Sequence, residues 1–459
     1  MKTLPGIVLI GALMAAPTFA QKGGQEAVPA ASPAMSGAPR HITLAEATQM
    51  ALKHNHVVRI AGYDVAVAQH EKDAARSNYY PHLKNDTNFA HVSDTQFIAI
   101  AKGELGTVAG TPVPTQTTVI NQGGLTFLTS GTQLSQPIGE LWKIRSANDV
   151  AAAEVKASRD KAQQTQNEVA LAVHGIYYQL LILQAHRGAA EAKIRASEDL
   201  TREREQQVKL GSKLERESIE ASADALEAQQ DLLTTDLALS DLTIKLDDAI
   251  GLPLTTKLEL DAEVGQPTAD CEREQCVKLA LEAHPEILEA RADVEKAEAA
   301  VRLAKREYVP DIDIFARYSY QDNVPFLARN FGTFGAHFSY DLFDGGKRNA
   351  EIGGRRAQLG KAQENLARMN DEVELRVQTA YNKVDRTRAM VKVSEQVSAL
   401  RTEAHRVAEQ QLEQGEALRS QVDSAAAHEL EAKAALLQSQ LEYLQANNEL
   451  EEAIGHTPQ

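Results

Sequence analysis

Asp311-Ile312-Asp313-Ile314-Phe315-Ala316-Arg317-Tyr318-Ser319-Tyr320 follows Tyr308-Val309-Pro310, and the reading of this stretch decides the fold. Up to Pro310 the chain reads as helix, and a proline stops a helix at the residue before it. Beyond it, Ile312, Ile314, Ala316, Tyr318 and Tyr320 alternate with Asp311, Asp313, Phe315, Arg317 and Ser319. Strict alternation predicts a strand with one apolar face and one mostly polar face. The pattern recurs at once: Phe334, Ala336, Phe338, Tyr340 and Leu342 alternate with Thr333, Gly335, His337, Ser339 and Asp341. Each run is about ten residues long, which is what a tilted strand needs to cross a bilayer.

The same plan occurs upstream. A shift of 229 carries Pro310 to Pro81, Tyr308 to Tyr79, and Ala280-Leu281 to Ala51-Leu52. Further on, a shift of 204 carries Gly415 to Gly211, Tyr381 to Tyr177, and Ile454-Gly455 to Ile250-Gly251. The chain is therefore one long unit used twice. The shifts differ by 25 residues, so the first copy carries an insertion between Pro81 and Gln136-Pro137. Its centre, Thr95–Asn121, is rich in Gly, Thr and Pro and is expected as an exposed, extracellular loop. The first-copy strands, roughly 83–92 and 125–136, alternate less cleanly and are placed because the repeat demands them.

Helices fill the rest. Thr43 and Glu46 form a capping-box spacing that starts one, with a break expected at His54-Asn55-His56. Pro285 marks a helix start in the second copy. Long helices are predicted at roughly 141–209 and 345–413. At ~1.5 Å per residue each spans on the order of 100 Å. Val169, Val173, Ile176, Leu180 and Leu183 are spaced four, three, four, three, a heptad seam. Gly211 and Gly415 mark hairpin tips, from which the chain returns through helices at roughly 213–250 and 417–454. Leu226, Leu233 and Leu237 mirror Leu430, Leu437 and Leu441. Ile250-Gly251 followed by Pro253 reads as a helix stop. Each return helix, stacked on the helix before the strands, matches the long helix in length.

Composition agrees with long helices around a hollow. Aromatics are 5% of 459 residues, with one Trp, too few for a large solid core. Ala, Leu, Glu, Gln, Lys and Arg dominate. A formal charge of −16 argues against nucleic-acid binding and suits a hydrated acidic surface or channel. Lys2, the apolar run Ile7–Met14 and Thr18-Phe19-Ala20 read as a secretory signal over 1–20. The run is too short to span a bilayer, and no spanning helix is expected elsewhere. A flexible Gly/Pro/Ala/Ser-rich segment follows over 21–40. The domain plan is then a first repeat over 41–254, a linker over 255–282 placed at the waist, and a second repeat over 283–459.

Four strands cannot close a barrel, and open sheet edges are forbidden in lipid. The chain must associate to complete its sheet. Three copies would give twelve strands, within the range for outer-membrane barrels, although strand number alone fixes no unique oligomer. The fold class is mainly α with a small β part: long coiled-coil hairpins forming a helical barrel, plus four transmembrane strands per protomer.

The duplicated plan, Tyr79-Tyr80-Pro81 and Tyr308-Val309-Pro310 before the strands, and Leu342-Phe343-Asp344-Gly345-Gly346 opening the second long helix together resemble the TolC family of outer-membrane efflux proteins. The resemblance covers essentially all of 41–456. It implies a homotrimer with a twelve-stranded barrel in the outer membrane and a twelve-helix tunnel across the periplasm. It also implies docking to a periplasmic adaptor and an inner-membrane pump, with no catalysis and no cofactor. The family's Gly-centred tips meet the adaptor; here they match Leu210-Gly211-Ser212 and Gln414-Gly415-Glu416. The hydrophobic-Gly-hydrophobic pattern is half kept. The family narrows its tunnel past the tips with acidic rings. Glu217 matches an acidic position, whereas the second copy has Gln421 and Ser424, with Asp423 as a neighbour. Three copies of Glu217 around an axis would favour cations; the plainer reading is a solvated helix-surface charge.

Cys271 and Cys276 are the only cysteines. Five residues apart, they point to different faces of a regular helix, so a disulfide requires a non-helical or fraying segment; two free thiols are the alternative. No His completes a metal set with them. His54-Asn55-His56 reads as a helix break, and no phosphate loop or Ser/His/Asp pattern stands out. An exit duct is the leading function, with drug efflux, metal efflux and type I protein secretion as its possible tasks. The rival is a periplasmic coiled-coil scaffold or adaptor, which explains the signal and heptads but not the bilayer-length strands.

Overall fold

The computed structural model describes residues 40–94, 97–121, 125–262, 271–324 and 328–458. The expected signal, nearly all of the N-terminal segment and part of the 255–282 linker lie outside these residues. The first copy runs β1 (Arg40–Ile42), α1 (Leu44–His54), α2 (His56–Ser77), β2 (His82–His91), an insertion with β3 (Phe97–Ile100), β4 (Thr107–Val108), β5 (Thr111–Pro112) and β6 (Thr118–Asn121), then β7 (Thr126–Pro137), α3 (Leu141–Lys209) and α4 (Glu215–Ile250). After β8 (Leu258–Leu260) come α5 (Arg273–Ala283), α6 (Pro285–Lys305), β9 (Asp311–Asp322), β10 (Asn330–Ser339), α7 (Lys347–Glu413) and α8 (Arg419–Ile454). A shift of 229 carries α1 onto α5, and a shift of 204 carries α4 onto α8, end to end.

Local chemistry sets the boundaries. Thr43 caps α1 through the amide of Glu46, whose carboxylate answers to the amide of Thr43. Asn55 breaks the first helix: its side chain caps α2 at Val57 and donates to the Ala249 carbonyl at the end of α4. His284 occupies the matching place in the second copy, where its Nδ1 accepts from the Glu286 amide. His54 and His56 thus flank a helix joint. Most of the later part of the expected linker is the helix α5. Cys271 lies just before it and Cys276 in its first turn, and a disulfide joins them with Cα atoms 5.7 Å apart.

Each repeat has its own core at the waist. The first gathers Ile42, Ala47 and Ala51 against Val173, Tyr177 and Leu180 of α3, with Leu246 and Ile250 of α4 and Leu441 of α8. The second gathers Cys276, Ala280 and Ile287 against Val373 and Val377 of α7 and Leu450 and Ile454 of α8. The seam read from sequence on α3 is thus the spine of the first core. Among the described residues α3 is the one helix long and apolar enough to cross a membrane, and that apolarity serves this core. His174, buried there, accepts at Nδ1 from Asn448 and meets Thr48 through Nε2. Burial pushes its pKa down to about 4.

The long hairpins are α3 with α4 and α7 with α8. They are joined side by side through α3 and α8, while α6 sits between α3 and α7 on the strand side of the waist.

Candidate channel wall and hairpin tips

The four long strands form one antiparallel sheet in the order β10-β9-β7-β2. The register sets Gln133 opposite Arg317 and Ser135 opposite Phe315, Lys84 opposite Gln133 and His337 opposite Asp313. Alternation then puts Lys84, Asp86, Gln133, Asp313, Arg317 and His337 on one face. Leu83, Phe89, Leu134, Ile312, Ile314, Tyr318, Phe334 and Phe338 share the other and are exposed. One face suits water and the opposite face suits lipid. On the polar face the Arg317 guanidinium lies across Gly131 and would have to swing aside for any side chain placed there.

The weak alternation of the first copy has a physical reason. Asn85, Thr87, Ser130 and Thr132 fall on the apolar face but bond to one another. The Asn85 amide donates to Thr132 Oγ1 at 2.8 Å and to Ser130 Oγ at 3.2 Å, and the Thr87 and Ser130 hydroxyls meet at 2.8 Å. The motif Asp344-Gly345-Gly346 is a strand-to-helix turn. The Asp344 carboxylate accepts from the amides of Gly346 and Arg348 and from Arg348 Nε at 2.7 Å. The Arg348 guanidinium bond, with the two amides, holds that carboxyl down to about 2. Arg348 itself lies between the rings of Tyr308 and Tyr340.

Both flanks of the chain are open: among the described residues β2 and β10 each pair on one side only. On the β2 side, α4 exposes Ile219, Leu226, Leu233, Leu237 and Ile244. On the β10 side, α7 exposes Met390, Val393, Val397, Leu400 and Val407, another heptad pattern. The repeat supplies an internal control. Leu237 is 63% exposed and its counterpart Leu441 is 1% exposed; Leu226 is 65% exposed and its counterpart Leu430 is 39%. Leu441 is covered, and Leu430 partly so, because α8 packs on α3. The seam on α7 was not read from the sequence, and periodicity alone does not say whether a seam is filled within the chain or outside it.

At the far end, Gly211 and Gly415 adopt φ of 72° and 76°, the left-handed conformation a helix hairpin requires of a residue without Cβ. The amides of Ser212 and Glu416 close the tips onto the carbonyls of Gln207 and Gln411 at 2.9 and 2.8 Å. Leu210 is exposed at the first tip, and Gln414 is the last cap of α7. Leu214 and Leu418, repeat mates that sequence reasoning passed over, stand exposed just beyond.

Glu217 lies in the first turn of α4 and pairs with Lys213 at 3.0 Å. Its repeat mate Gln421 turns its side-chain carbonyl back to accept from the Leu418 amide at 2.9 Å, acting as a helix cap. Asp423 pairs with Arg419 at 3.2 Å. Gln421 and Ser424 line a groove of about 880 Å³ between α3 and α8, with Glu203, Arg204 and Gln207 opposite. Glu217 and Asp423 stand on α4 and α8, helices that both pack on α3. A clamp above the second tip was missed in the sequence: Glu429 on α8 takes Lys433 at 2.7 Å, Thr402 at 3.0 Å and His405 at 2.5 Å. Lys433 foremost holds its pKa down, against a desolvation that opposes it.

This architecture has known counterparts. The outer membrane protein VceC of Vibrio cholerae is similar over 91% of this chain and 97% of its own, with a TM-score of 0.69 at 18% identity. A membrane protein of Pseudomonas aeruginosa is similar over 90% of each chain, with a TM-score of 0.73 at 16% identity. The Campylobacter jejuni CmeC outer membrane channel is similar over 90% of this chain and 85% of its own, with a TM-score of 0.72 at 15% identity. At such identities the likeness is one of fold. No curated protein matches the sequence. The family model for outer membrane efflux proteins matches both repeats, over 47–252 and 276–456, with its second segment beginning inside α5, and the chain belongs to that family.

Proposed function

We propose that three copies of this chain close into the exit duct of a tripartite efflux system, a passive conduit from an inner-membrane pump across the periplasm and outer membrane. The observation that carries this reading is the exposure difference between repeat mates. Inside the chain, α8 packs on α3 and β9 on β7. Applying the repeat shifts to those contacts sets α4 on the α7 of the next copy, and β2 on its β10. The exposed seams of α4 and α7 then cover one another, and the free strand edges pair. Unpaired backbone groups in lipid would cost several kcal/mol each, so closure is obligatory for a membrane-spanning sheet.

The transfer also fixes a register. The intramolecular pair Pro137 and Asp313 becomes Asp341 of one copy opposite Lys84 of the next, two opposite charges at the polar base of the wall. In this assembly the tips, Leu210-Gly211-Ser212 and Gln414-Gly415-Glu416, face the periplasmic adaptor. Three Glu217 carboxylates gather near the tunnel end, with Asp423, Gln421 and Ser424 in the adjoining layer. The barrel sits in the outer membrane, and the helices, ~100 Å long, reach into the periplasm.

The test is a Lys84→Cys/Asp341→Cys variant expressed in cells. Disulfide-linked oligomers in the outer-membrane fraction are expected; a soluble periplasmic monomer would refute the duct. Deletion of the gene is expected to sensitise cells to several unrelated small molecules. Loss of tolerance to a single metal, or failure of one secreted protein, would reassign the duct to metal efflux or type I secretion.

A further inference from the structure

The insertion of the first copy is not an irregular loop. β3 and β6 pair antiparallel, with Phe97 opposite Asn121, Ile98 opposite Ile120 and Ala99 opposite Val119. Backbone hydrogen bonds from Leu105 to Val113 (3.0 Å) and from Val113 to Gly106 (2.8 Å) continue the ladder, and β4 and β5 carry it to the tip. The result is a two-stranded ribbon. Its second-copy counterpart is the short connection between β9 and β10, so the sheet closes without a ribbon there.

Two features set this ribbon apart from an ordinary solvated loop. Between 97 and 121 only Lys102 and Glu104 are charged, in a chain that is 24% charged overall. Both faces are also apolar. Ile98, Ile100 and Ile120 share one face, while Phe97, Ala99 and Val119 share the other. Phe97, Ile98 and Val119 are exposed, as are Leu105 and Val108 toward the tip. A lone two-stranded ribbon is marginal in water, and one that bares Phe97, Ala99 and Val119 on one face, and Ile98 beside half-buried Ile100 and Ile120 on the other, gains from a cover on each.

We propose that the ribbons of neighbouring copies pack on one another, the Phe97–Val119 face of one against the Ile98–Ile120 face of the next, as a collar over the outer mouth of the barrel. This rests on the three-copy reading above. A ring gives each ribbon two identical neighbours, one on either side, which matches a ribbon apolar on both sides. Lipid is a poor cover, because both ribbon edges carry unpaired backbone groups. The ribbon also springs from β2, the strand at the proposed subunit seam, so the collar continues that seam outward. Reach is sufficient: about ten residues per arm extend ~30 Å, whereas twelve strands spaced ~4.8 Å apart enclose a wall only ~12 Å in radius.

The test uses the full-length protein in cells. Ile98→Cys with Val119→Cys places two thiols on opposite faces of one ribbon, where they cannot bridge within a chain. Ala99→Cys with Val119→Cys, directly paired, is the within-chain control. Mild oxidation is expected to link the first variant into dimers and trimers and the second into none. A variant lacking 97–121, joined by a short turn as in the second repeat, is expected to show at least about a twofold rise in single-channel conductance. Normal trimer yield with no crosslink between copies and unchanged conductance would overturn the collar while leaving the duct intact. Crosslinks to another protein in place of a second copy would overturn it as well. Absence of trimers altogether would bring down both.

Discussion

Leu237 and Leu441 occupy the same place in the two repeats, and truncating each to alanine separates the strength of the chain from the strength of the assembly. Leu441 is 1% exposed, packed against α3 in the first core. Leu441→Ala should cost the protomer about 2–5 kcal/mol, the range for a buried leucine. Leu237 is 63% exposed in the single chain, so Leu237→Ala should change protomer stability by no more than about 0.5 kcal/mol. If the neighbour's α7 covers Leu237 as α3 covers Leu441, assembly buries nearly two thirds of its surface. Full burial of a leucine contributes ~1.5–3 kcal/mol, so each seam gains ~1–2 kcal/mol from this side chain. Three seams lose ~3–6 kcal/mol together, on the order of 10²–10⁴ in the trimer dissociation constant. The assay is the temperature at which the detergent-purified trimer falls apart on unheated and stepwise-heated gels, checked by native mass spectrometry. A Leu237→Ala trimer as heat-resistant as the parent would refute the transfer of contacts from inside the chain to between chains.

Acid should loosen the waist. Burial pushes both His174 and His284 down to about 4. Each contributes stability that is complete above an unfolded value near 6.5 and is lost as pH falls through 4, up to ~3 kcal/mol apiece. Asp247, which burial pushes up to about 6, works in the opposite sense, stabilising below about 4 and fading as pH rises through 6. His284→Asn, which copies the Asn55 cap of the first repeat, should flatten the acid limb of thermal stability measured between pH 7 and 4 without lowering stability at pH 7. An unchanged limb would remove His284 from the account. Glu217→Ala should weaken cation preference in reversal-potential recordings, and an unaltered potential would leave Glu217 as a surface partner of Lys213. Reducing the Cys271–Cys276 disulfide should speed amide exchange in the first turn of α5 while leaving α6 untouched, since the bridge ties only the entry of α5.

What the sequence disclosed follows from which signals are periodic. β9 and β10 are plain because every second residue is apolar from Ile312 to Tyr320 and from Phe334 to Leu342. β2 and β7 are blurred because Asn85, Thr87, Ser130 and Thr132 satisfy one another sideways, a compensation that no single strand reveals. The helix α5 escaped notice because its buried stripe is only Cys276 and Ala280, small residues that give a weak apolar period. The state of the cysteines hung on where that helix begins. A start at Arg273 leaves Cys271 free to fold back on the first turn. At the tips, glycine spacing located the turns, but the role of Gln421 depends on a helix start at Arg419, which makes it a cap for Leu418.

The repeat explains why so little aromatic core is needed. On the three-copy reading, a chain that forms a wide hollow wall cannot stabilise itself with a thick centre, so it relies on side-by-side contacts of one kind used again and again. Duplication supplies that contact once within the chain, where α8 and β9 meet α3 and β7. Repeating it between copies requires only that α7 and β10 keep the surface of α3 and β7. The correspondence is not complete. Positions lining the α3 groove as Ala189, Lys193 and Ala196 become Val393, Val397 and Leu400 on α7, all three apolar and two of them larger. A seam that must form between separate chains loses more freedom on association than one formed within a chain, and added apolar surface is the direct means of offsetting that cost. The same reasoning places the bare leucines on α4, the helix that awaits a partner, and the matching but half-hidden leucines on α8, the helix that already has one.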